Sequence, residues 1–303
     1  MFCKPFFGIF RPVHPFCVIC GKASIIYAYI CHFAQYHLST AFPHCFALSI
    51  VLSLARFRRE VYNEKDPTFD LIKVRIMNVL FLGNSHTYFH DMPELFARFA
   101  ERTCGEKPTV TMLAYSGRDL DWHRKEYFSL RFNLMYGKYD YCVIQQAAHP
   151  YPPAEKTLNV GAKIIDLCHR CGVKPIVYMT WAEKRFPENQ QKMIDTCEKL
   201  AADNQALLAP VGRYWQRVLT EQPDIDLFHT DGEHAGPYGD FLAAAAFCKL
   251  IYGAVSEEIC GMGHDFLGGL PLDFSSPTVL EDDRVKTTLD EEKCRRILNI
   301  IAD

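Results

Sequence analysis

The sequence predicts an α/β protein: a three-layer α/β/α sandwich on a mainly parallel five-stranded sheet. Two observations carry this. The block Asn78-Val79-Leu80-Phe81-Leu82-Gly83 is continuously apolar and stops at a glycine, as a strand buried on both faces does. From there on, short β-rich runs alternate with stretches of helical length, the pattern of parallel strands joined by right-handed crossovers. At 303 residues the chain is long enough to bury a large core.

Residues 1–76 do not share this pattern. They hold 9 Lys/Arg against 4 Asp/Glu, with no acid before Glu60, whereas residues 77–303 hold 24 against 32. Between Ala23 and Ala55 there is no charged residue apart from histidine, yet His32, Gln35, His37, Pro43 and His44 interrupt the apolar run. A spanning helix needs about 20 consecutive apolar residues, and Cys45 to Ala55 falls short of that. Charges ahead of an apolar core, followed by small residues, would mark a secretory signal, and that order is absent. The segment is therefore expected to be a non-domain extension, disordered or upstream of a natural start near Met77. Membrane association through it is the alternative. Residues 77–303 are expected to form the folded domain.

The elements follow in order. Asn78 to Gly83 is the first strand. Asp91-Met92-Pro93-Glu94 opens a helix to about Thr103, with Asp91 placed to cap and Pro93 in the first turn. Thr109 to Ala114 is the second strand, followed by Tyr115-Ser116-Gly117-Arg118 and one long helix from Leu120 to Tyr136. Asp140 to Gln145 is the third strand, and the proline cluster at His149 to Pro153 forces a loop. A helix over Ala154–Cys171 leads to a fourth strand over Lys174–Thr180. A helix over Glu188–Asp203 leads to a short fifth strand over Ala206–Pro210. A small-residue helix runs over Tyr238–Tyr252, where Ala243 to Ala246 permits close packing. The Gly-rich stretch Cys260 to Phe274 reads as a loop, and Leu289 to Ala302 as a closing amphipathic helix.

Composition excludes some functions. An acidic main body lacks the basic patch that a nucleic acid requires. The first strand leads to Gly-Asn-Ser and not to a phosphate-cradling glycine pattern, so nucleotide binding is not indicated. Thirteen cysteines, irregularly spaced, do not make a disulfide framework. Cys17–Cys20 and Cys168–Cys171 are CxxC pairs, but their separation is far outside zinc-ligand spacing. Reduced thiols in a cytoplasmic protein, with no metal, is the expectation.

A serine just past a parallel strand lies where open α/β sheets place their sites. Its hydroxyl becomes a nucleophile only when a base, usually a histidine oriented by a carboxylate, takes its proton. Ser85 follows the first strand. Asp231 and His234, three apart in the turn Asp231-Gly232-Glu233-His234, could meet it over the sheet edge. On spacing alone, the pair reads equally well as a turn cap and an exposed histidine.

Gly83-Asn84-Ser85-His86-Thr87 resembles the first block of the SGNH (GDSL-like) hydrolases, and Asp231-Gly232-Glu233-His234 resembles their last. Gly117 matches the block whose glycine amide helps form the oxyanion hole. The resemblance covers roughly residues 77–252 and implies a flavodoxin-like fold and cleavage of carboxylic esters. Ser85 would be the nucleophile, His234 the base in preference to His229, and Asp231 its orienting carboxylate. The amides of Ser85 and Gly117 would hold the oxyanion. One block departs: where the family has Gly-x-Asn-Asp, this chain has Val143-Ile144-Gln145-Gln146. Gln145 is the candidate to replace the Asn as oxyanion donor, with Gln146 second. His86, Trp181 and His149 are candidate pocket residues, and Arg118 a candidate contact to a polar substrate. No cofactor is implied. The expected partner is a small ester, short-acyl or a carbohydrate acetate. A non-catalytic carbohydrate-binding domain or an acyltransferase on the same fold are the alternatives.

Overall fold

The computed structural model describes residues 76–262, 264–267 and 284–303. The expectations for residues 1–75, including Cys17–Cys20, and for most of the Gly-rich stretch fall outside these.

Five strands form one parallel sheet: β1 (Asn78–Gly83), β2 (Thr109–Ala114), β3 (Tyr141–Gln145), β4 (Lys174–Tyr178) and β5 (Leu207–Ala209), in the order β2-β1-β3-β4-β5. The register pairs Gly83 with Ala114, Leu82 with Ile144, and Gln145 with Tyr178. All five strands therefore end at one edge. Strand order reverses between β1 and β3, and a crevice opens there at the carboxyl ends.

Because β1 is an inner strand covered on both faces, its residues alternate between two cores. Val79 and Phe81 face α2 (Met92–Cys104), α7 (Val211–Glu221), α8 (Pro237–Tyr252) and α9 (Glu291–Ala302). Leu80 and Leu82 face α3 (Leu120–Lys125), α4 (Tyr127–Tyr136), α5 (Ala154–Arg170) and α6 (Asn189–Asp203). A further helix, α1 (Ser85–Tyr88), is a single turn on the end of β1. Helix α8 is apolar nearly all round, and Ala243 to Ala246 are buried in it, so it is the central helix of its layer.

The structure departs from the sequence reading at several places. The long helix over Leu120–Tyr136 is broken at Glu126, whose backbone (φ −71°, ψ 53°) leaves the helical region and separates α3 from α4. Helix α7 was not anticipated, although Val211, Trp215 and Val218 recur at helical spacing and are buried. Asp91 does not cap α2 with its side chain: it stands in the left-handed region (φ 56°, ψ 42°). His264–Leu267 is not loop but one strand of an antiparallel ribbon with Arg284–Thr287. Among the described residues, no helix is long and apolar enough to cross a membrane.

Phe247 of α8 joins the layer to the sheet. Its ring meets Phe81 (5.5 Å), Tyr178 (4.9 Å) and Phe96 (6.3 Å) edge-on. Phe247→Ala is expected to lower the unfolding free energy in urea by about 3–5 kcal/mol, the range for emptying an aromatic core site.

Candidate active site

The site is built where β1 leaves the sheet. Gly83 is closely enclosed: a Cβ there would overlap Thr87 Oγ1 and Gln145 Oε1. Its carbonyl accepts from the Tyr115 amide (3.1 Å) and faces His123 Nε2 at 2.8 Å. The next amide, Asn84 N–H, lies beyond the ladder and donates to Gln145 Oε1 at 2.8 Å, which also accepts from the Thr87 hydroxyl at 3.1 Å. The Asn84 side chain accepts from the His86 amide and donates to the Arg118 carbonyl, both at 3.1 Å. It thereby ties the serine turn to the loop after β2, where Gly117 takes a left-handed backbone (φ 65°) that suits glycine.

Ser85 opens α1 and is buried. Its Oγ lies 2.8 Å from His234 Nε2, and His234 Nδ1 lies 2.7 Å from Asp231 Oδ2. The loop bearing Asp231 and His234 is a closed turn: a bridge joins Phe228 to Ala235, the His229 amide donates to the His234 carbonyl, and the Gly236 amide donates to the Leu227 carbonyl. Asp231 Oδ1 accepts from the amides of Glu233 (2.9 Å) and His234 (3.0 Å), which leaves Oδ2 for the imidazole. Partial burial raises the Asp231 pKa, but these amides and the His234 ring outweigh it and hold the carboxylate well below its usual range. His229 Nδ1 also approaches Asp231 Oδ2, at 3.4 Å.

The structure thus brings Ser85, His234 and Asp231 together, with the Gly117 loop hydrogen-bonded to the serine turn. The two glutamines are both bound into the scaffold. Gln145 is fully buried, and its Oε1 serves Asn84 and Thr87 while its Nε2 donates to the Gln146 carbonyl. Gln146 accepts from the amides of Leu120 (3.1 Å) and Ala147 (2.8 Å) and donates to Thr157 Oγ1 (3.0 Å). Each side-chain NH2 gives one of its two hydrogens to the scaffold. Gln145 also anchors the turn that carries Ser85.

The candidate pocket residues also differ from expectation. Trp181 is inaccessible: it stacks on Trp215 at 3.9 Å, and its Nε1 donates to the Glu233 carbonyl at 2.9 Å, bracing the base's loop. His86 is buried against His234 (4.9 Å), Trp181 (5.4 Å) and His149 (4.7 Å) and does not line an open wall. His149 is half-buried beside it. Arg118 is exposed and lies over the Trp122 ring at 5.3 Å. Cys168 is buried, and the eight described cysteines are free thiols. Among the described residues, no group of three or more His, Cys, Asp or Glu is arranged to hold a metal ion.

One contact was not foreseen. Phe89, just after α1, stacks on the His234 ring at 4.0 Å and 9°. It is followed by two left-handed residues, His90 (φ 46°, ψ 27°) and Asp91, a conformation costing about 1–2 kcal/mol per residue outside glycine. His90 Nδ1 lies 2.5 Å from Asp240 Oδ2 of α8, both side chains being buried. Burial pushes the Asp240 carboxyl up to about 6, and His90 pulls against that shift.

No family model and no curated protein sequence matches the chain. Among solved structures, it resembles a protein of Slackia heliotrinireducens provisionally described as an SGNH hydrolase: TM-score 0.52, 24% identity, covering 58% of this chain and all of the other. It also resembles an acetylxylan esterase of Geobacillus stearothermophilus, solved as a catalytic mutant, with TM-score 0.50 and 11% identity over 59% of this chain and 96% of the other. The fold is that of the SGNH hydrolases.

Burial holds His86 well below the ordinary imidazole pKa, with His149 and His234 adding to it, and burial lowers His123 and His149 too. The unfolded chain protonates such groups near pH 6.5 while the fold resists, so stability is lost as the pH falls through about 6.5. The urea midpoint should drop between pH 7.5 and 5.5, and His86→Leu should drop less. Equal drops would remove His86 from this account.

Proposed function

We propose that the chain is a serine esterase that cleaves short acyl groups, acetyl foremost, from a carbohydrate or similar polyhydroxy alcohol. The observation that carries this reading is the continuous path Ser85 Oγ–His234–Asp231, with both hydrogen bonds at 2.7–2.8 Å on the carboxyl edge of the sheet. His234 takes the Ser85 proton as the hydroxyl attacks the ester carbonyl. It then protonates the departing alcohol, and in a second round it activates water against the acyl-serine. Asp231 fixes the imidazole's tautomer and favours the imidazolium that forms in each half.

Charge develops on the carbonyl oxygen, and the amides of Ser85 and Gly117 are the donors proposed to receive it. The side-chain oxygens of Gln145 and Gln146 are taken up within the scaffold, and the proposed hole is counted with these two backbone donors and no side-chain amide. Relative to a three-donor hole, one missing donor costs about 10²–10³-fold in turnover, so a slow enzyme is expected on activated test esters. The acetyl and sugar preference draws on the fold's likeness to an acetylxylan esterase, and the acyl group is the part most open to test.

A panel of p-nitrophenyl esters and acetylated xylo-oligosaccharides decides the matter. Turnover should be highest for acetyl and fall with acyl length. Ser85→Ala should abolish it, and Asp231→Asn should lower kcat by about 10³–10⁴-fold. A fluorophosphonate probe should label the wild type and not Ser85→Ala. An unlabelled wild type would favour a binding domain on the same fold.

A further inference from the structure

The His90–Asp240 pair takes no part in the proposed chemistry, yet it lies one residue from the ring that covers the base. We propose that this buried pair is a positioning device: by fixing the left-handed corner at His90–Asp91, it lays Phe89 flat on His234 and so holds the imidazole between Ser85 and Asp231. The inference rests on the esterase reading of that triad.

Three features support it. First, the corner is unfavourable by itself, so something must hold it. The 2.5 Å contact from His90 Nδ1 to Asp240 Oδ2, with both side chains nearly inaccessible, is a strong interaction at that corner. A histidine is also among the side chains best tolerated in this backbone region. Second, the partner is well chosen. Asp240 lies in the first turn of α8, which begins at Pro237 directly after the loop that bears Asp231 and His234. The base and the corner are therefore referenced to the same rigid helix end, six residues apart in sequence. Third, the link to the base is direct. Phe89 stacks on His234 at 4.0 Å and 9°, and it meets His229 edge-on at 5.5 Å. His86 closes in on His234 as well, at 4.9 Å.

The stack has a chemical consequence. An aromatic face attracts a cation lying over it, so Phe89 favours the imidazolium that His234 becomes during each half-reaction. The same contact limits ring rotation. A small misplacement of a reacting group can cost about 10²-fold in rate. Losing the corner should therefore reduce kcat and leave KM nearly unchanged, because none of these three residues is assigned a contact with substrate.

The test is a double-mutant cycle with a spectroscopic readout. Asp240→Ala and Phe89→Leu should each lower kcat by about 10²-fold with KM nearly unchanged. The double variant should lose no more than the worse single, since both act through one contact. Asp240→Asn, which keeps an acceptor oxygen in place, should restore most of the activity. In proton NMR, the downfield resonance of the Asp231–His234 hydrogen bond should broaden or shift in both single variants and recover in Asp240→Asn. A folded Asp240→Ala with wild-type kcat and an unchanged resonance overturns the proposal, and so do losses that add in the double variant. If Asp240→Ala does not fold, the Phe89→Leu resonance decides alone. Should the wild type hydrolyse no ester and resist the fluorophosphonate, the esterase reading fails, while the resonance still reports whether the pair holds the imidazole.

Discussion

The hydrogen bond from the Asn84 amide to Gln145 Oε1 is the constraint on which the site depends. A parallel strand ends when its next amide has no neighbour in the ladder, and a buried amide without an acceptor costs about 1–3 kcal/mol. β1 reaches that point at Gly83, and the adjacent strand supplies a side-chain oxygen in place of a main-chain one. The substitution lets the chain turn at once into α1, which places Ser85 at the sheet edge and not further along a strand. Because the same oxygen takes the Thr87 hydroxyl, the first turn of α1 is fixed in the same place. Gly83 is required by the same crowding: the glutamine oxygen occupies the space a side chain would need.

This explains why the candidate site was legible in the sequence only in part. An amide side chain is both donor and acceptor, and sequence says nothing about which end is used. Read beside the family pattern, Gln145 is expected to donate toward the oxyanion. In the fold its carbonyl faces the serine turn and its amino group faces the Gln146 carbonyl. Whether Trp181 walls a pocket or packs in the core is open in the sequence for a related reason. A tryptophan after a strand can face solvent or the core, and only the presence of Trp215 across from it selects the core. Trp215 belongs to α7, a helix the sequence reading did not include.

What was legible was local or strongly periodic. The five strands appear within two residues of their expected ends: the inner strands β1, β3 and β4 are buried nearly throughout and mainly apolar, and the edge strand β2 is marked by its β-rich residues. The break at Glu126 was hidden because all residues from Leu120 to Tyr136 tolerate a helix, and no helix breaker marks it.

The two halves of the triad show the same division between local and distant determinants. Asp231 and His234 are three apart, and their contact is arranged largely by the turn itself: one carboxylate oxygen takes two amides of that turn, which leaves the other for the ring. Spacing can reveal such a pair. Ser85 and His234 are separated by 149 residues, so sequence spacing says nothing about their distance. It is set by the sheet, which fixes the end of β1, and by α8, which fixes the loop before it. The packing of α8 on β1 through Phe247 and Phe81 is therefore as much a part of the site's geometry as the hydrogen bonds within it. A buried aromatic pair and a 2.8 Å hydrogen bond between serine and histidine form one structural unit, and a change that loosens the first should lengthen the second before it unfolds the protein.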